Sequence, residues 1–511
     1  MIIKTHFNTD DLYILYSGLA FVLASYFFFR KKYTSASIII LTIGAFIIRF
    51  FVARLDPFIH VWDESLHALV ARNMMSHPFK PMLVANPVLP TDETDYIACH
   101  IWLHKQPLFL WLMSISLRIF GINEMGVRLP SVLLSALITP MIYRIGKLLV
   151  NEKTGYYSAF VFVLSSYMLE VASGYIASDH NDAMFIFFVT ASFWAWFEYN
   201  SSGKKRWIYI IGVFSGMAVL VKWLTGLLVY FGWMLSILLI KEKRKSITSY
   251  KNIVLSGIIS AVVFIPWQVY ILIKFKQQAL IVFSTYSEHI TKVLENHGGP
   301  PSFHIDLIGE QYGWIVPFIL GLALYMLFKK IGNNKAVKIV MISWLVVPYL
   351  FFAIALTKMP LMTLICCPII FISLGYLLYE MMEFIALKMK PIVASIIMAA
   401  MFIVIGFFNL NISRIEAKHT TLSNDFIRDR QVANRFKKLS PQLAEKDYVV
   451  FNCCCYLAIP LMFYSGVDVH MEIPDQNTTA LLKSKNRNIA IFYDSNLPDY
   501  ITSDKSILLL K

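Results

Sequence analysis

Residues 12–54 read LYILYSGLAFVLASYFFFRKKYTSASIIILTIGAFIIRFFVAR, two apolar runs on either side of the basic triplet Arg30-Lys31-Lys32. A helix needs about 20 such residues to cross the hydrocarbon core of a bilayer. Similar runs recur as far as residue 411, and 57% of the 511 residues are hydrophobic while only 15% are charged. A soluble chain carries about 25% charged residues. We therefore predict an α-helical polytopic membrane protein with about 11–13 transmembrane helices.

The apolar segments define the predicted spans, and the basic runs between them set the orientation. The segments lie at about 12–29, 36–54, 107–120, 129–149, 156–173, 182–199, 208–221, 224–240, 252–273, 307–328, 337–356, 361–381 and 391–411. Cytoplasmic loops are enriched in Lys and Arg, which places Arg30-Lys31-Lys32 and the other basic runs inside. External loops are then expected at about 55–106 and 274–306. The net charge of +14 is explained by these runs, and we expect no nucleic-acid partner.

Two stretches need separate treatment. The stretch 208–240 lies between two cytoplasmic basic runs, which predicts an outward hairpin with Lys222 near its tip. Three segments separate the first external loop from Asp182, although an even number of crossings is required. Segment 107–120 has only 14 residues before Gly121 and is short for a span.

The last hundred residues mix charged residues with short apolar runs, unlike the rest of the chain. We predict a transmembrane domain over residues 1–411 and a small soluble external α/β domain over 412–511. Strands are expected near Tyr448–Phe451, Ile489–Tyr493 and Ile507–Leu510, and a helix over 423–438. The consecutive Cys453, Cys454 and Cys455 are expected to be core residues of a strand.

Ionisable residues gather on the predicted external face. They are Asp63-Glu64, His104-Lys105, Asp179, Asp182, Lys222, His297 and Lys358. Carboxylates can accept a proton from a hydroxyl or hold a divalent cation, and lysines can bind a phosphate. These groups are compatible with an enzyme acting on a lipid phosphate. They are equally compatible with an ion or solute transporter, although the sequence shows none of the internal repeats typical of transporters.

Several motifs resemble those of the membrane-embedded glycosyltransferases that use polyprenyl-phosphate sugars, the family of protein O-mannosyltransferases and lipid A aminoarabinose transferases. The motifs are Asp63-Glu64, HKQPLFLWL at 104–112, FGINE at 120–124, RLPS at 128–131, GMAVLVK at 216–222 and TKMP at 357–360. Leu66, His104 and Met362 depart from the Arg, Glu and Tyr usual in the family. These departures suggest that the sugar and the acceptor differ from those of the best-known members.

The resemblance implies roles for the acids. Asp63 matches the family's first-loop acid, which activates or orients the acceptor nucleophile, and its neighbour Glu64 is expected to support it. Asp182 matches the second-loop acid, because the sequence from Asp182 opens a span as the family's does. Asp179 is the alternative.

The resemblance also implies roles for three lysines and two histidines. Lys105 matches a lysine that binds the lipid-linked phosphate, and Lys222 and Lys358 are further phosphate candidates. His297 resembles the family's late-loop histidine, and together with His104 it could hold a divalent metal ion. The alternative is that both are ordinary solvated loop histidines.

A GT-C-type fold and a direct displacement are implied as well, in which the acceptor attacks the sugar C1 and the prenyl phosphate leaves. The expected donor is a polyprenyl-phosphate sugar and the expected acceptor a lipid A-like lipid or glycan. The expected location is the bacterial inner membrane, with the active site facing the periplasm. Two alternatives stay open: a protein O-glycosyltransferase, and a membrane transporter or lipid flippase.

Overall fold

The computed structural model describes residues 6–176 and 179–510, and these form a largely helical chain. The helices are α1 (Thr9–Arg30), α2 (Thr34–Leu55), α3 (Asp63–Met74), α4 (Pro107–Phe120), α5 (Glu124–Leu149), α6 (Glu152–Val163), α7 (Ser166–Ser173), α8 (Asp179–Ser202), α9 (Arg206–Lys222), α10 (Leu228–Leu239), α11 (Lys241–Arg244), α12 (Ile247–Lys274), α13 (Lys276–Thr291), α14 (Phe303–Asp306), α15 (Ile308–Tyr312), α16 (Val316–Lys330), α17 (Lys335–Ile354), α18 (Cys367–Lys388), α19 (Pro391–Asn409), α20 (Ile412–His419), α21 (Asn424–Glu445), α22 (Ala458–Ser465), α23 (Gln476–Ser484) and α24 (Asp499–Thr502). Short 3-10 helices cover Trp223–Leu227, Leu364–Cys366 and Cys455–Leu457. The strands are β1 (Tyr448–Phe451), β2 (Asn488–Phe492) and β3 (Ile507–Leu510).

Every predicted apolar segment coincides with helix, so the helical membrane architecture is confirmed. Within the described ranges, seven helical stretches are long and apolar enough to cross a membrane, and an eighth passes if the bent pair Phe303–Tyr312 and Val316–Lys330 is one span. The prediction of about 11–13 spans is higher. The count of seven takes the stretch Arg206–Leu239 as one and leaves out shorter apolar helices such as Pro107–Phe120, which the predicted number includes.

The odd number of segments before Asp182 is accounted for by α4. This helix has 14 residues. It packs against α3, which lies within the predicted external loop 55–106. It therefore belongs with that loop, and α5 and the broken pair α6 and α7 are left to make an even number of crossings.

The chain reverses after Lys222, as the sequence predicts. Trp223 has a positive φ of 67°, and the following turn brings Gly226 back against α9. The Ser215 hydroxyl donates to the Gly226 carbonyl at 2.8 Å. Lys222 therefore lies at the tip of a hairpin made by α9 and α10.

Two compact units make up the chain. The first contains Met1–Ala53 and Ser131–Ala417, and the second contains Arg54–Pro130 and Lys418–Lys511. The second unit thus joins the first predicted external loop and the C-terminal tail in one folded body.

Small residues allow close helix packing in the first unit. A Cβ added at Gly212 or Gly216 of α9 would lie 2.6 or 2.7 Å from the carbonyl oxygens of Ser256 and Ser260 on α12. At Gly375 of α18 it would collide with Ser158 of α6. Such contacts are typical of helix pairs in membranes, where close backbone approach replaces the hydrophobic driving force.

The second unit contains a parallel sheet of order β1-β2-β3. The inward side chains Val449, Phe451, Ile489, Ile491 and Ile507 form an apolar core with Leu482, Leu497 and Ile501. Helix α21 extends seven residues past the predicted helix end at 438 and ends at Glu445. All three predicted strands are present.

The prediction for the cysteine run was wrong. Strand β1 ends at Phe451, and Asn452 with a φ of 57° turns the chain out of the sheet. Cys453 is buried and Cys454 is exposed, so these residues belong to the loop after the strand. The side chain of Cys455 lies outside the described residues, as does that of Asp179.

Candidate active site

Asp63 and Lys105 form an ion pair in the second unit. Asp63 is the first residue of α3, where the positive end of the helix dipole favours a negative charge. Its Oδ2 lies 3.3 Å from Nζ of Lys105, and both side chains are 19% exposed. The Tyr96 hydroxyl donates to Oδ1 at 3.3 Å. The predicted acid and the predicted phosphate lysine of this unit are therefore in direct contact, and both remain accessible to a ligand.

The pair sets the protonation state of Asp63. Burial raises the pKa of this carboxyl, but the Lys105 ammonium, His67 and the hydrogen bonds from Lys105 and Tyr96 outweigh burial and lower it to about 2. The side chain is therefore ionised at neutral pH. A carboxylate with so low a pKa is a weak proton acceptor as long as Lys105 faces it.

Glu64, the neighbour expected to support Asp63, points elsewhere. Its side chain is 1% exposed, and its two oxygens lie 2.7 and 3.0 Å from Nε and Nη2 of Arg128. The His60 ring also contacts it at 2.5 Å. Its position therefore favours a role in holding the unit together.

Glu64 belongs to a buried charged network that sequence reasoning does not predict. The network consists of Asp56, His60, Glu64, Arg128 and His419. Arg128 also donates to the carbonyl oxygens of Asp56 and Phe58 at 2.7 and 2.6 Å. The sequence signals for it are Arg128, which lies in the RLPS motif, and the spacing of four residues between Asp56, His60 and Glu64.

Replacing Glu64 with Gln is expected to destabilise the protein strongly. The substitution leaves the buried Arg128 guanidinium without its counter-charge, which typically costs about 3–5 kcal/mol. The melting temperature of the purified protein should fall by many degrees, whereas Asp92→Asn, at an exposed acid of the same loop, should leave it unchanged. Equal melting temperatures for Glu64→Gln and wild type would contradict this structural role.

The network also predicts a pH dependence of stability. Burial lowers the pKa of His60, but Glu64 and Asp56 outweigh burial and Arg128 and raise it to about 9. A raised pKa in the folded state means that protonated His60 stabilises the protein fully below its ordinary value of 6.5, and that this contribution is lost as pH rises through 9.

The melting temperature should therefore fall between pH 6.5 and 9. His60→Gln should reduce this fall, because the substitution removes the titrating group. Thermal melts of both proteins across that range provide the measurement. Identical slopes in the two proteins would show that His60 does not titrate in this range.

Asp182 and Lys222 form a second ion pair, in the first unit. Oδ1 of Asp182 lies 2.5 Å from Nζ of Lys222, and the carboxylate is 2% exposed while the lysine is 29% exposed. Helix α8 carries the acid and the end of α9 carries the lysine. The hairpin at Lys222 thus delivers a predicted phosphate lysine to the predicted second-loop acid.

A backbone hydrogen bond joins Lys358 and His297. The Lys358 amide donates to the His297 carbonyl at 2.7 Å. The Lys358 ammonium is buried and donates to the carbonyl oxygens of Phe352, Ala353 and Ala355 at 2.6, 2.9 and 2.6 Å. These bonds satisfy carbonyls at the end of α17, and they occupy the three donors with which Lys358 would otherwise contact a phosphate.

The two predicted metal ligands lie in different surroundings. The His104 ring packs against Tyr96 and Trp102 at 4.6 and 5.7 Å between centroids, and burial and Lys105 lower its pKa to about 4. His297 is exposed. Among residues 6–176 and 179–510, no group of three or more His, Cys, Asp or Glu side chains is arranged to hold a metal ion.

Known proteins resemble this chain in sequence. Residues 104–270, which include Lys105, Asp182 and Lys222, match the family described as dolichyl-phosphate-mannose-protein mannosyltransferase. The undecaprenyl phosphate-alpha-4-amino-4-deoxy-L-arabinose arabinosyl transferase 2 of Pseudomonas fluorescens is 23% identical over 354 residues, which are 66% of this chain and 59% of that protein. The chain spans about half to three-fifths of the length of the curated relatives it matches.

Solved structures show the same fold. The crystal structure of ArnT from Cupriavidus metallidurans bound to undecaprenyl phosphate aligns with a TM-score of 0.63 at 13% identity, covering 87% of this chain and 88% of that chain. The Archaeoglobus fulgidus oligosaccharyltransferase aligns with a TM-score of 0.56 at 12% identity, covering 88% of this chain and 64% of the other. The resemblance seen in the sequence is thus confirmed: this chain is a multi-pass membrane protein with the GT-C-type fold, similar to the glycosyltransferases that use polyprenyl-phosphate sugars.

Proposed function

We propose that this protein transfers a sugar from a polyprenyl-phosphate donor to a lipid A-like lipid or glycan acceptor. The observation that carries the proposal is the pairing of an accessible carboxylate, Asp63, with an accessible ammonium, Lys105, within a chain that is similar to such transferases. An anionic phosphate and a hydroxyl are the two groups that these side chains can bind.

The proposed reaction is a single displacement. An acceptor oxygen forms a bond to the sugar C1 as the bond from C1 to the phosphate oxygen breaks, and the acceptor proton is released. Lys105 stabilises the negative charge that develops on the leaving prenyl phosphate. Asp63 accepts a hydrogen bond from the acceptor hydroxyl and orients it for attack.

The ion pair links the two roles. A negatively charged phosphate oxygen that binds Lys105 partly neutralises the positive charge that now faces Asp63. The pKa of Asp63 then rises from about 2, which makes the carboxylate a better proton acceptor when the donor is bound. Asp182 and Lys222 form a second pair of the same kind, and we propose that it binds polar groups of a substrate.

Two other predicted roles are less well supported by the contacts. Glu64 is hydrogen-bonded to Arg128, and the Lys358 ammonium is hydrogen-bonded to three carbonyls, so we propose a structural role for each within its own unit. A divalent ion at His104 and His297 stays a prediction, and the reaction above uses none. Unchanged turnover after dialysis against EDTA would rule it out.

A protein acceptor is the second candidate function. It is favoured by the family match itself, because that family is described by transfer of mannose to protein. Mass spectrometry of lipid A, glycolipids and glycoproteins from a deletion strain tests the proposal against this alternative. Loss of a sugar from a lipid fraction supports the lipid acceptor, and loss from protein alone supports the second candidate.

The proposed location is the bacterial inner membrane, with Asp63, Lys105, Asp182 and the tail on the periplasmic face. The basic runs of the sequence support this orientation. In a background with Cys454 and Cys455 replaced by Ser, a cysteine at exposed Lys485 should react with a membrane-impermeant maleimide in intact spheroplasts, and one at exposed Lys205 should react only after lysis. The reverse pattern would invert the topology.

A further inference from the structure

Trp62, which directly precedes Asp63, has an unusual backbone. Its φ is 80°, in a region that bulky residues rarely occupy. Backbone strain of this kind persists where the surrounding structure enforces it, and it clusters at binding sites. Its indole is 56% exposed, so burial of the side chain does not explain the conformation.

Tyr456 packs against this indole. The two ring centroids lie 4.4 Å apart with an angle of 38° between the planes, and the tyrosine is itself 38% exposed. Both residues belong to the second unit. Together they form an exposed aromatic pair, one residue away from the carboxylate of Asp63.

The position of Tyr456 in the tail is also informative. It lies in the 3-10 helix Cys455–Leu457, which follows the loop after β1. The sheet is parallel, and in open parallel sheets ligands bind beyond the carboxyl ends of the strands. The loop after β1 leaves that edge and brings Tyr456 onto Trp62.

We propose that Trp62 and Tyr456 form a stacking platform for a sugar ring, so that the C-terminal α/β region supplies part of the transferase site. A pyranose ring has an apolar face of C–H groups and a polar edge of hydroxyls. The aromatic pair stacks on the apolar face, and Asp63, the next residue after Trp62, and its partner Lys105 are the groups that we propose for the hydroxyl edge. The inference rests on the proposed function for its choice of ligand.

Interfacial anchoring in the bilayer is the competing explanation, since Trp and Tyr are enriched at membrane surfaces. Two observations favour the sugar. An anchoring side chain reaches lipid through ordinary rotamers and requires no strained backbone, and an anchor does not need to adjoin an acid–lysine pair.

The test compares Trp62→Ala and Tyr456→Ala with the conservative variants Trp62→Phe and Tyr456→Phe, in full-length protein in nanodiscs. Tyr493→Ala, at another exposed tyrosine of the same region, is the matched control. The KM for one sugar-bearing substrate should rise roughly tenfold in both Ala variants, about the effect of one lost stacking contact, while kcat changes little. The Phe variants and the control should stay near wild type. Donor and acceptor are varied separately, so the substrate whose KM rises identifies the stacked sugar.

A binding measurement separates this inference from the proposed function. Saturation-transfer NMR with methyl pentopyranosides and hexopyranosides, in the absence of sugar-based detergents, should show transfer to the ring C–H protons in wild type and its loss in Trp62→Ala. Sugar binding by wild-type protein that shows no transferase activity would contradict the proposed function but support the stacking platform. Unchanged KM values and unchanged saturation transfer to the sugar in both Ala variants would contradict the platform and favour anchoring in the bilayer.

Discussion

Replacing Asp63 with Asn is expected to lower turnover by roughly 100-fold or more, the usual scale for the loss of a group that assists a nucleophile. The amide keeps the size of the carboxylate and can still accept one of the two hydrogen bonds that Lys105 and Tyr96 make to the separate oxygens of Asp63. It lacks the charge that orients and polarises an acceptor hydroxyl. Initial rates of sugar transfer by the purified variant provide the measurement.

A stability control separates this effect from a structural one. Asp63 begins α3, and an acid at that position stabilises a helix by only about 0.3–1 kcal/mol. The melting temperature of Asp63→Asn should therefore stay near that of wild type, in contrast to the large fall expected for Glu64→Gln. Wild-type turnover in Asp63→Asn would remove this residue from the reaction.

Replacing Lys105 with Ala is expected to lower kcat/KM for the donor by roughly 100-fold, the scale seen when one group that stabilises transition-state charge is removed. The ammonium is accessible and its ion pair is with the equally accessible carboxylate of Asp63, so it can turn to a phosphate without breaking the fold. Removing it also raises the pKa of Asp63, because Lys105 is the largest of the influences that lower it.

Lys105→Arg is the matched control for this prediction. It keeps the positive charge and should retain more activity than Lys105→Ala, although the geometry of a guanidinium differs from that of an ammonium. Steady-state rates at varied donor concentration distinguish the two variants. If Lys105→Ala uses the donor as well as wild type does, this lysine has no part in phosphate binding.

The helices could be predicted because the membrane imposes a strong and simple signal. Runs of about 20 apolar residues are required wherever a helix crosses the bilayer, and each predicted segment coincides with helix. The sequence could not show where helices break. The bend between α15 and α16 and the break between α6 and α7 depend on contacts with neighbouring helices, which the sequence does not specify.

The acids and lysines of the candidate site could be found one by one, but their partners could not. Pairing of Asp63 with Lys105 and of Asp182 with Lys222 depends on tertiary contacts between residues about 40 positions apart. Glu64 illustrates the limit well. Successive residues of a helix point about 100° apart, so the neighbour of an accessible acid faces the interior, where it meets Arg128.

The contact between Tyr456 and Trp62 could not be predicted from the sequence either, because it is also a tertiary contact between distant residues. The residues are separated by about three quarters of the 511-residue chain, and the apolar character of the cysteine run predicts a strand where the loop after β1 lies. Only the folded second unit, which joins the first loop to the tail, brings the two rings together.

The central claim is tested most directly by a transfer assay with the purified full-length protein. Wild type in nanodiscs is given undecaprenyl phosphate-linked 4-amino-4-deoxy-L-arabinose, or another undecaprenyl-phosphate sugar, with lipid A as the acceptor, and both products are followed by mass spectrometry. The account predicts equal amounts of free undecaprenyl phosphate and glycosylated lipid, formed by wild type and almost absent with Asp63→Asn. Release of neither product with any donor of this class, by a protein shown to be folded, would contradict it.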